Sequence, residues 1–445
     1  MEKNLTTGSV WKTVLRFSLP FLMSYFLQTL YGMADLYIIG QFCGVESTTA
    51  VSIGSQVMHM LTVMIVGLAM GSVVTIGQAV GAADRRRISG AVGNTVTLFM
   101  TVSAVLTAVL FLLAAPITDL MSTPESAVHG TVDYLRICFL GIPFITAYNV
   151  ISSIFRGMGD SRSPMYFIAA ACVVNIGLDY LFIGLMQMGP AGAALGTTLS
   201  QTFSVCIALL VIRRQKGKLQ LKRADFHPDR ENMGGILRIG IPVAMQDGFI
   251  QIAFLIVTVF ANLRGVEDAA AVGIVEKVIG ILFLVPSSML QTVSALAAQN
   301  VGVGKEDRAR KTLLCGCILT LIWGSAAVIA MRFHAQEVIG LFSDHPETVR
   351  MGVEYMLGYV WDCVFAGVHF CFSGFFCAYG LSGLSFFHNA VSIVCVRSPF
   401  SYLAATRFPS TLLPMGMAST SGSVLSVLIC LAAYTGLRLR QKKQA

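Results

Sequence analysis

Charge is what this sequence has little of: Asp, Glu, Lys and Arg make up 12% of its 445 residues, about half the share usual in a soluble globular domain. So few ions cannot clothe a water-facing surface, and the 55% of residues that are hydrophobic point to lipid as the solvent. No GxxxxGK[ST] loop is present, so nothing marks ATP as the energy source; the glycines of "GMGD", 157–160, close an apolar run and follow no strand. There is no spaced Cys/His set for a metal, and no nucleophile constellation or His and Glu pair at helical spacing for an intramembrane enzyme. The 11 cysteines are odd in number and lie mostly inside apolar runs, as Cys138, Cys172, Cys206 and Cys363 do. That argues against a disulfide framework and reads as small buried hydrophobes, "CGC" at 315–317 included. The alternating pattern of a membrane barrel is absent as well. An all-α membrane protein without a cofactor is the expectation.

What is present is a series of long apolar runs. A helix needs about 20 residues to cross about 30 Å of hydrocarbon, and twelve runs reach that length: 14–40, 51–80, 89–114, 131–155, 164–186, 191–213, 236–261, 269–293, 312–333, 352–378, 385–406 and 412–437. With the N-terminus in the cytoplasm, that side collects Lys3, Lys12, Arg16, Arg85 to Arg87, Arg156, Arg162, the 213–238 segment, Lys305 to Lys311 and the tail "RLRQKK". The other side holds most of the acids, Glu46, Asp119, Glu125, Glu267 and Asp344 among them. By the positive-inside rule both termini are expected to be cytoplasmic. The net charge of +8 is spread over short inner loops, where it reports topology and anionic lipid rather than nucleic acid. No cleavable signal is expected, because "MEKNLTTGSVWK" is polar and the run after it is full length.

A repeat organises the chain. "GVESTTAVSI" at 44–53 returns as "GVEDAAAVGI" at 265–274, a shift of 221 residues; "QAVG" at 78 returns as "QNVG" at 299, and "VDY" at 132 as "VEY" at 353. "RFSLP", ending at Pro20, meets "RIGIP", ending at Pro242, one residue off that register. Six spans per half make the two halves parallel, related by an axis along the membrane normal. The expected organisation is an N-terminal lobe 1–212, a hydrophilic cytoplasmic linker 213–235 and a C-terminal lobe 236–445: twelve transmembrane helices in two pseudo-symmetric six-helix bundles.

Carboxylates inside spans are the candidates for function. One at helix centre costs about 2.5 to 3.5 kcal/mol on insertion scales, so it faces a bundle interior or a wet cavity. Asp35 in "LYGMADLYIIG", Asp179 in "NIGLDYLFIG" and Thr197 in "GAALGTT" fall at one depth by residue count from the outer loops, and Asn175 shares a helix face with Asp179. Two carboxylates, an amide and a hydroxyl suit a hard cation such as Na⁺; equally, two carboxylates in a poorly solvated pocket can share and release a proton. The bland alternative is an aspartate that only hydrogen-bonds a neighbouring helix. Pro20, on the helix of Asp35, is either a first-turn proline or a hinge. The second half holds Asp247, Glu276, Lys277, Asp362, His369 and Arg397. Lys277 is expected to neutralise Asp362 or Glu276, leaving Asp247, without a cation at its depth, to meet a cationic substrate. Met60, Met64, Met70 and "HFCFSGFF" at 369–376 read as core or lipid contact, or as the lining of an adaptable apolar cavity.

The repeat motif after the first helix of each half, "GQAVGAADRRR" with its partner "AAQNVGVGKEDRARK", "RGMGDSRSP", and "NIGLDYLFI" followed by "GAALGTT" together resemble the multidrug and toxic compound extrusion (MATE) transporters over the full length. The resemblance implies two six-helix bundles and export of amphipathic, often cationic, compounds against Na⁺ or H⁺, in the branch with an acidic N-lobe cation site. It places Asp35, Asn175, Asp179 and Thr197 at that site, with Tyr134 and Asn149 nearby. It implies a small-molecule substrate, an organic cation, and a monomer in a bacterial plasma membrane. The alternative in the same superfamily is a flippase or exporter of a lipid-linked or anionic metabolite, which would prefer a strongly cationic cavity.

Overall fold

The structure, a computed structural model, describes residues 4–214 and 221–444. The first half runs through α1 (Val10–Phe42), α2 (Val45–Gly81), α3 (Arg85–Leu112), the short α4 (Ala114–Leu120), α5 (Glu125–Leu140), α6 (Ile142–Gly157), α7 (Arg162–Asp179) and α8 (Gly189–Arg214). The second comprises α9 (Arg230–Asn262), α10 (Val266–Leu282), α11 (Leu284–Gly302), α12 (Glu306–Gly340), α13 (Pro346–Tyr359), α14 (Asp362–Ala378), α15 (Ser382–Ser392), α16 (Ser398–Arg407) and α17 (Leu413–Gln444). α5 and α6 are two arms of one pass bent by 48°, as α13 and α14 are at 40°. α10 leads end to end into α11, and π-helical turns extend α7 (Tyr180–Leu185) and join α15 to α16 (Ile393–Arg397). Taken this way each half makes six helical passes.

Among the described residues, eight helices are long and apolar enough to cross a membrane, and ten spans result if each bent pair counts as one. The protein is therefore an all-α, multi-span membrane protein. The two expected spans that fall short are α1 and the α15–α16 pass. Both are diluted by polar residues, Gln28 and Asp35 in one and His388, Asn389 and Arg397 in the other, so the side chains that depress hydropathy are the ones that invite a functional question.

Several motifs of the sequence are helix starts. In "ADRRR" the Asp84 carboxylate caps α3, accepting from the backbone of Arg86 at 3.1 Å and Arg87 at 3.0 Å. In "GDSRSP" Asp160 accepts from the Arg162 backbone at 3.2 Å and the Ser163 hydroxyl at 2.9 Å, opening α7. Close helix approach uses glycine: a Cβ on Gly358 of α13 would strike the Leu413 carbonyl, and one on Gly416 of α17 the Tyr355 carbonyl, the small-residue packing that membrane bundles favour.

Two compact units emerge, one holding Leu19–Gly240 and the other Thr6–Ser18 with Ile241 onward. Their division falls inside α9 and inside α1, in each case beside a proline, Pro242 and Pro20, rather than in the expected 213–235 linker. Part of that linker, 215–220, lies outside the described residues. Its 225–229 part is strapped to α3: Asn94 Nδ2 donates to the Asp225 carbonyl at 3.3 Å, Thr97 Oγ1 to the Phe226 carbonyl at 2.8 Å, and the Asp229 amide to Asn94 Oδ1 at 2.8 Å. The first unit packs Ile38, Ile39, Tyr134, Phe139, Ile183 and Ala193 into one core; the second centres on Val275, Ile339, Tyr355, Tyr359 and Met415.

Candidate cation-coupling site

In the first unit α1 supplies Asp35, α7 supplies Asn175 and Asp179 one turn apart, and α8 supplies Thr197. Asp35, Asn175 and Asp179 are 6%, 1% and 0% exposed. Thr197 Oγ1 donates to Asp35 Oδ2 at 3.2 Å, and the Asp35 side chain borders both Asp179 and Asn175. The four side chains expected at one depth are thus brought together. Among the described residues, Asp35 Oδ1, both Asp179 oxygens and both Asn175 amide atoms are buried without a hydrogen-bond partner. Atoms of this kind are nearly always satisfied in native proteins, and a buried, unpaired carboxylate is costly, so the cluster has the ligating capacity for a hard cation or a shared proton.

Local backbone chemistry makes room for it. The π-helical turn begins immediately after Asp179, where the Met186 amide reaches back to the Leu181 carbonyl at 2.9 Å, and such bulges recur at functional positions. Opposite, Gly196 of "GAALGTT" has no side chain where a Cβ would collide with Asp179 Oδ1.

Of the two residues expected nearby, Tyr134 is buried on α5 and lies within the electrostatic reach of Asp35. Asn149 turns its Nδ2 to the Ile145 carbonyl of its own helix at 2.9 Å, which leaves that amide committed to α6. Sequence reasoning passed over Tyr31 and Gln201, which neighbour each other beside Asp35. The signal was available: each stands four residues along its helix from a site member, Tyr31 from Asp35 and Gln201 from Thr197, hence on the same face. Pro20 sits inside α1, and Ser24 Oγ donates to its carbonyl at 2.8 Å, a local bond that favours helix bending.

The second unit gathers a different set. Glu276 of α10 and Asp362 of α14 both lie in the field of Arg397, carried on the π-helical turn after α15. Arg397 Nη2 donates to Tyr359 OH at 2.9 Å, and its guanidinium stacks over Phe254 at 4.7 Å. The expected partner, Lys277, is exposed and makes no ion pair among the described residues; the interior cation is Arg397, because adjacent residues on a helix point about 100° apart and only Glu276 of the pair turns inward. His369 meets Ser423 at 3.3 Å. Asp247 lies apart from this cluster, next to Cys377, while its neighbour Gln246 accepts from Ser385 Oγ at 2.5 Å.

Comparison with known proteins gives one consistent picture. The MatE family profile matches residues 20–181 and 242–403, one match per half, each starting at the helix-internal proline. The chain is 28% identical over 366 residues to the probable multidrug resistance protein YoeA of Bacillus subtilis, covering 81% of this chain and 79% of that one. It is 29% identical over 401 residues to the probable multidrug resistance protein YpnP of the same organism, covering 90% and 89%. Among solved structures, an outward-facing conformation of a multidrug resistance MATE family transporter of the MOP superfamily matches with a TM-score of 0.91, over 99% of this chain and 98% of the other at 21% identity, a likeness of fold.

Proposed function

Since the chain belongs to the MatE family, and is on that ground a multidrug efflux transporter rather than an enzyme, we propose that it works as a secondary antiporter. It exports amphipathic cationic compounds in exchange for Na⁺ or H⁺. The observation that carries this reading is the set of five unpartnered polar atoms on Asp35, Asn175 and Asp179, with Thr197 on Asp35 Oδ2. A Na⁺ ion would take ligands from the two carboxylates, the Asn175 carbonyl oxygen and the Thr197 hydroxyl. A proton would instead be held between the two carboxyl groups, which cannot comfortably ionise together at contact distance.

Coupling requires that the bound cation favour one conformation over another, since equal affinity for both shifts nothing. Pro20 is the proposed place where a charge change at Asp35 becomes helix bending: it removes the hydrogen bond that its own amide would give to Arg16, and Ser24 already draws on its carbonyl. In the family's parallel-repeat architecture the two lobes would then present the substrate path to one side of the membrane at a time.

The test is efflux from proteoliposomes under imposed Na⁺ or pH gradients, with ethidium as substrate. Asp35→Asn and Asp179→Asn are each expected to abolish gradient-driven efflux while the protein inserts normally; wild-type rates in both variants would sink the reading. Substrate charge is tested in the same vesicles by competition. The acid-rich interior predicts that lipophilic cations compete better than anions of equal size, whereas tighter competition by anions would favour the anionic-metabolite alternative.

A further inference from the structure

Buried polar groups that the coupling site does not use concentrate in the second unit. α14 carries Asp362, His369 and Ser373 at intervals of seven and four residues, so they share one helix face and extend about 16 Å along its axis. All three are 4% exposed or less. His369 Nε2 lies 3.3 Å from Ser423 Oγ of α17, and Ser423 also borders the Asp362 carboxyl group. The His369 ring stands edge-on to His388 of α15, with centroids 5.4 Å apart and planes at 70°. His388 Nε2 lies 2.9 Å from Ser373 Oγ. The Nδ1 atoms of both rings and Asp362 Oδ1 are buried without a hydrogen-bond partner among the described residues.

This arrangement is short of one hydrogen. A neutral imidazole has one donor and one acceptor nitrogen, so two adjacent rings that spend Nε2 on serines leave two Nδ1 atoms which a single proton, passed directly or through one water, would satisfy together. The surroundings suit such a role. Asp362 lies on the same helix, α17 adds Ser423 and Ser426, the latter donating to the His388 carbonyl at 3.2 Å, and Arg397 is the cation whose field reaches His369. α11 brings no ionisable group, α12 sets Cys317 against Cys371 on another face of α14, and α9 places Asp247 near Cys377, one turn beyond Ser373.

We propose that His369 and His388 form a proton-binding site in the second lobe, supplied from Asp362 through the Ser423 hydroxyl and held at its far end by Ser373. In one passage, the Asp362 carboxyl proton moves to Ser423 Oγ as the Ser423 hydroxyl proton moves to His369 Nε2. The His369 Nδ1 proton then moves to His388 Nδ1, leaving an Asp362 carboxylate and a His388 imidazolium whose Nε2–H donates to Ser373 Oγ. Each relaying group gains one proton for the one it yields. The proposal deepens the antiport reading, on which its transport role rests, by naming H⁺ as the ion this lobe handles; proton binding itself is measurable without transport.

The deciding measurement is ¹⁵N NMR of imidazole-labelled full-length protein in lipid nanodiscs as pH is varied. The two rings are expected to titrate as a coupled pair, in macroscopic steps more than about one pH unit apart, and His388→Gln is expected to leave His369 with a single, displaced step. Two rings that keep fixed tautomers and ignore each other's removal would overturn the proposal. A second readout separates relay from scaffold: His369→Gln and His388→Gln should lower pH-driven ethidium efflux by about tenfold or more while ethidium–ethidium exchange at equal pH persists. Unchanged pH-driven efflux in both variants would also overturn it. If a variant loses exchange as well, or the wild type shows no pH-driven efflux, the antiport reading or the variant's fold is at fault, and the NMR titration decides the proton site alone.

Discussion

At the scale of single residues, position within the span tells most. Asp35 is conspicuous in sequence because a carboxylate in an apolar run is costly, and counting residues from the outer loops is enough to put Asp179, Asn175 and Thr197 beside it. Counting could not find Arg397's role. Whether Lys277 or Arg397 is the cation whose field reaches Glu276 and Asp362 depends on which side of α10 faces the interior and on where the α15–α16 pass places Arg397, and neither is written in the local sequence. His388 escaped notice for the same reason, since its partner Ser373 lies on another helix. Gly196 offers a residue-scale test. Gly196→Ala would drive a Cβ into Asp179 Oδ1, whereas a Cβ at Gly177 meets nothing within 4 Å. Overpacking typically costs about 1–3 kcal/mol, so Gly196→Ala is expected to depress efflux nearly as far as Asp179→Asn, with Gly177→Ala near wild type; equal activity of the two alanine variants would contradict the close fit around Asp179.

At the scale of elements, the apolar runs foretold nearly every helix, yet the joints were invisible to them. The 48° bend between α5 and α6, the division of the tenth run into α13 and α14 and both π-helical turns preserve the apolar pattern, so hydropathy reads straight through them. Loop chemistry was likewise understated. Arg264, in the loop between α9 and α10, is 5% exposed at its side chain and pairs with Asp268 at 2.6 Å. It also donates to the Phe408 carbonyl at 2.8 Å and the Pro409 carbonyl at 3.0 Å, tying the α9–α10 loop to the end of α16. Removing one partner of a buried ion pair strands the other, at about 3–5 kcal/mol. Arg264→Ala is therefore expected to lower the thermal midpoint of the detergent-solubilised protein by several degrees, and an unchanged midpoint would show that the clamp contributes nothing.

For the whole molecule, the duplication was legible because the repeat preserves whole phrases, and the family match falls into the same two halves. The division into compact units was less legible. A hydrophilic stretch looks like a boundary, but Asp225, Phe226 and Asp229 are hydrogen-bonded to α3, and the partition passes through α1 and α9 beside their prolines. Two helices that change unit at a proline are suited to convert a local event into a larger one, which is the central claim: protonation or Na⁺ binding at Asp35 and Asp179 sets which conformation the transporter adopts. Spin labels at Glu46 and Glu267, exposed positions that correspond through the repeat, allow this to be measured by pulsed electron–electron distance spectroscopy in nanodiscs. The distance distribution is expected to change with pH or Na⁺ in the wild type and to stop responding in Asp35→Asn; a wild-type distribution unmoved by either, or a response that survives in Asp35→Asn, would rule out coupling through this site.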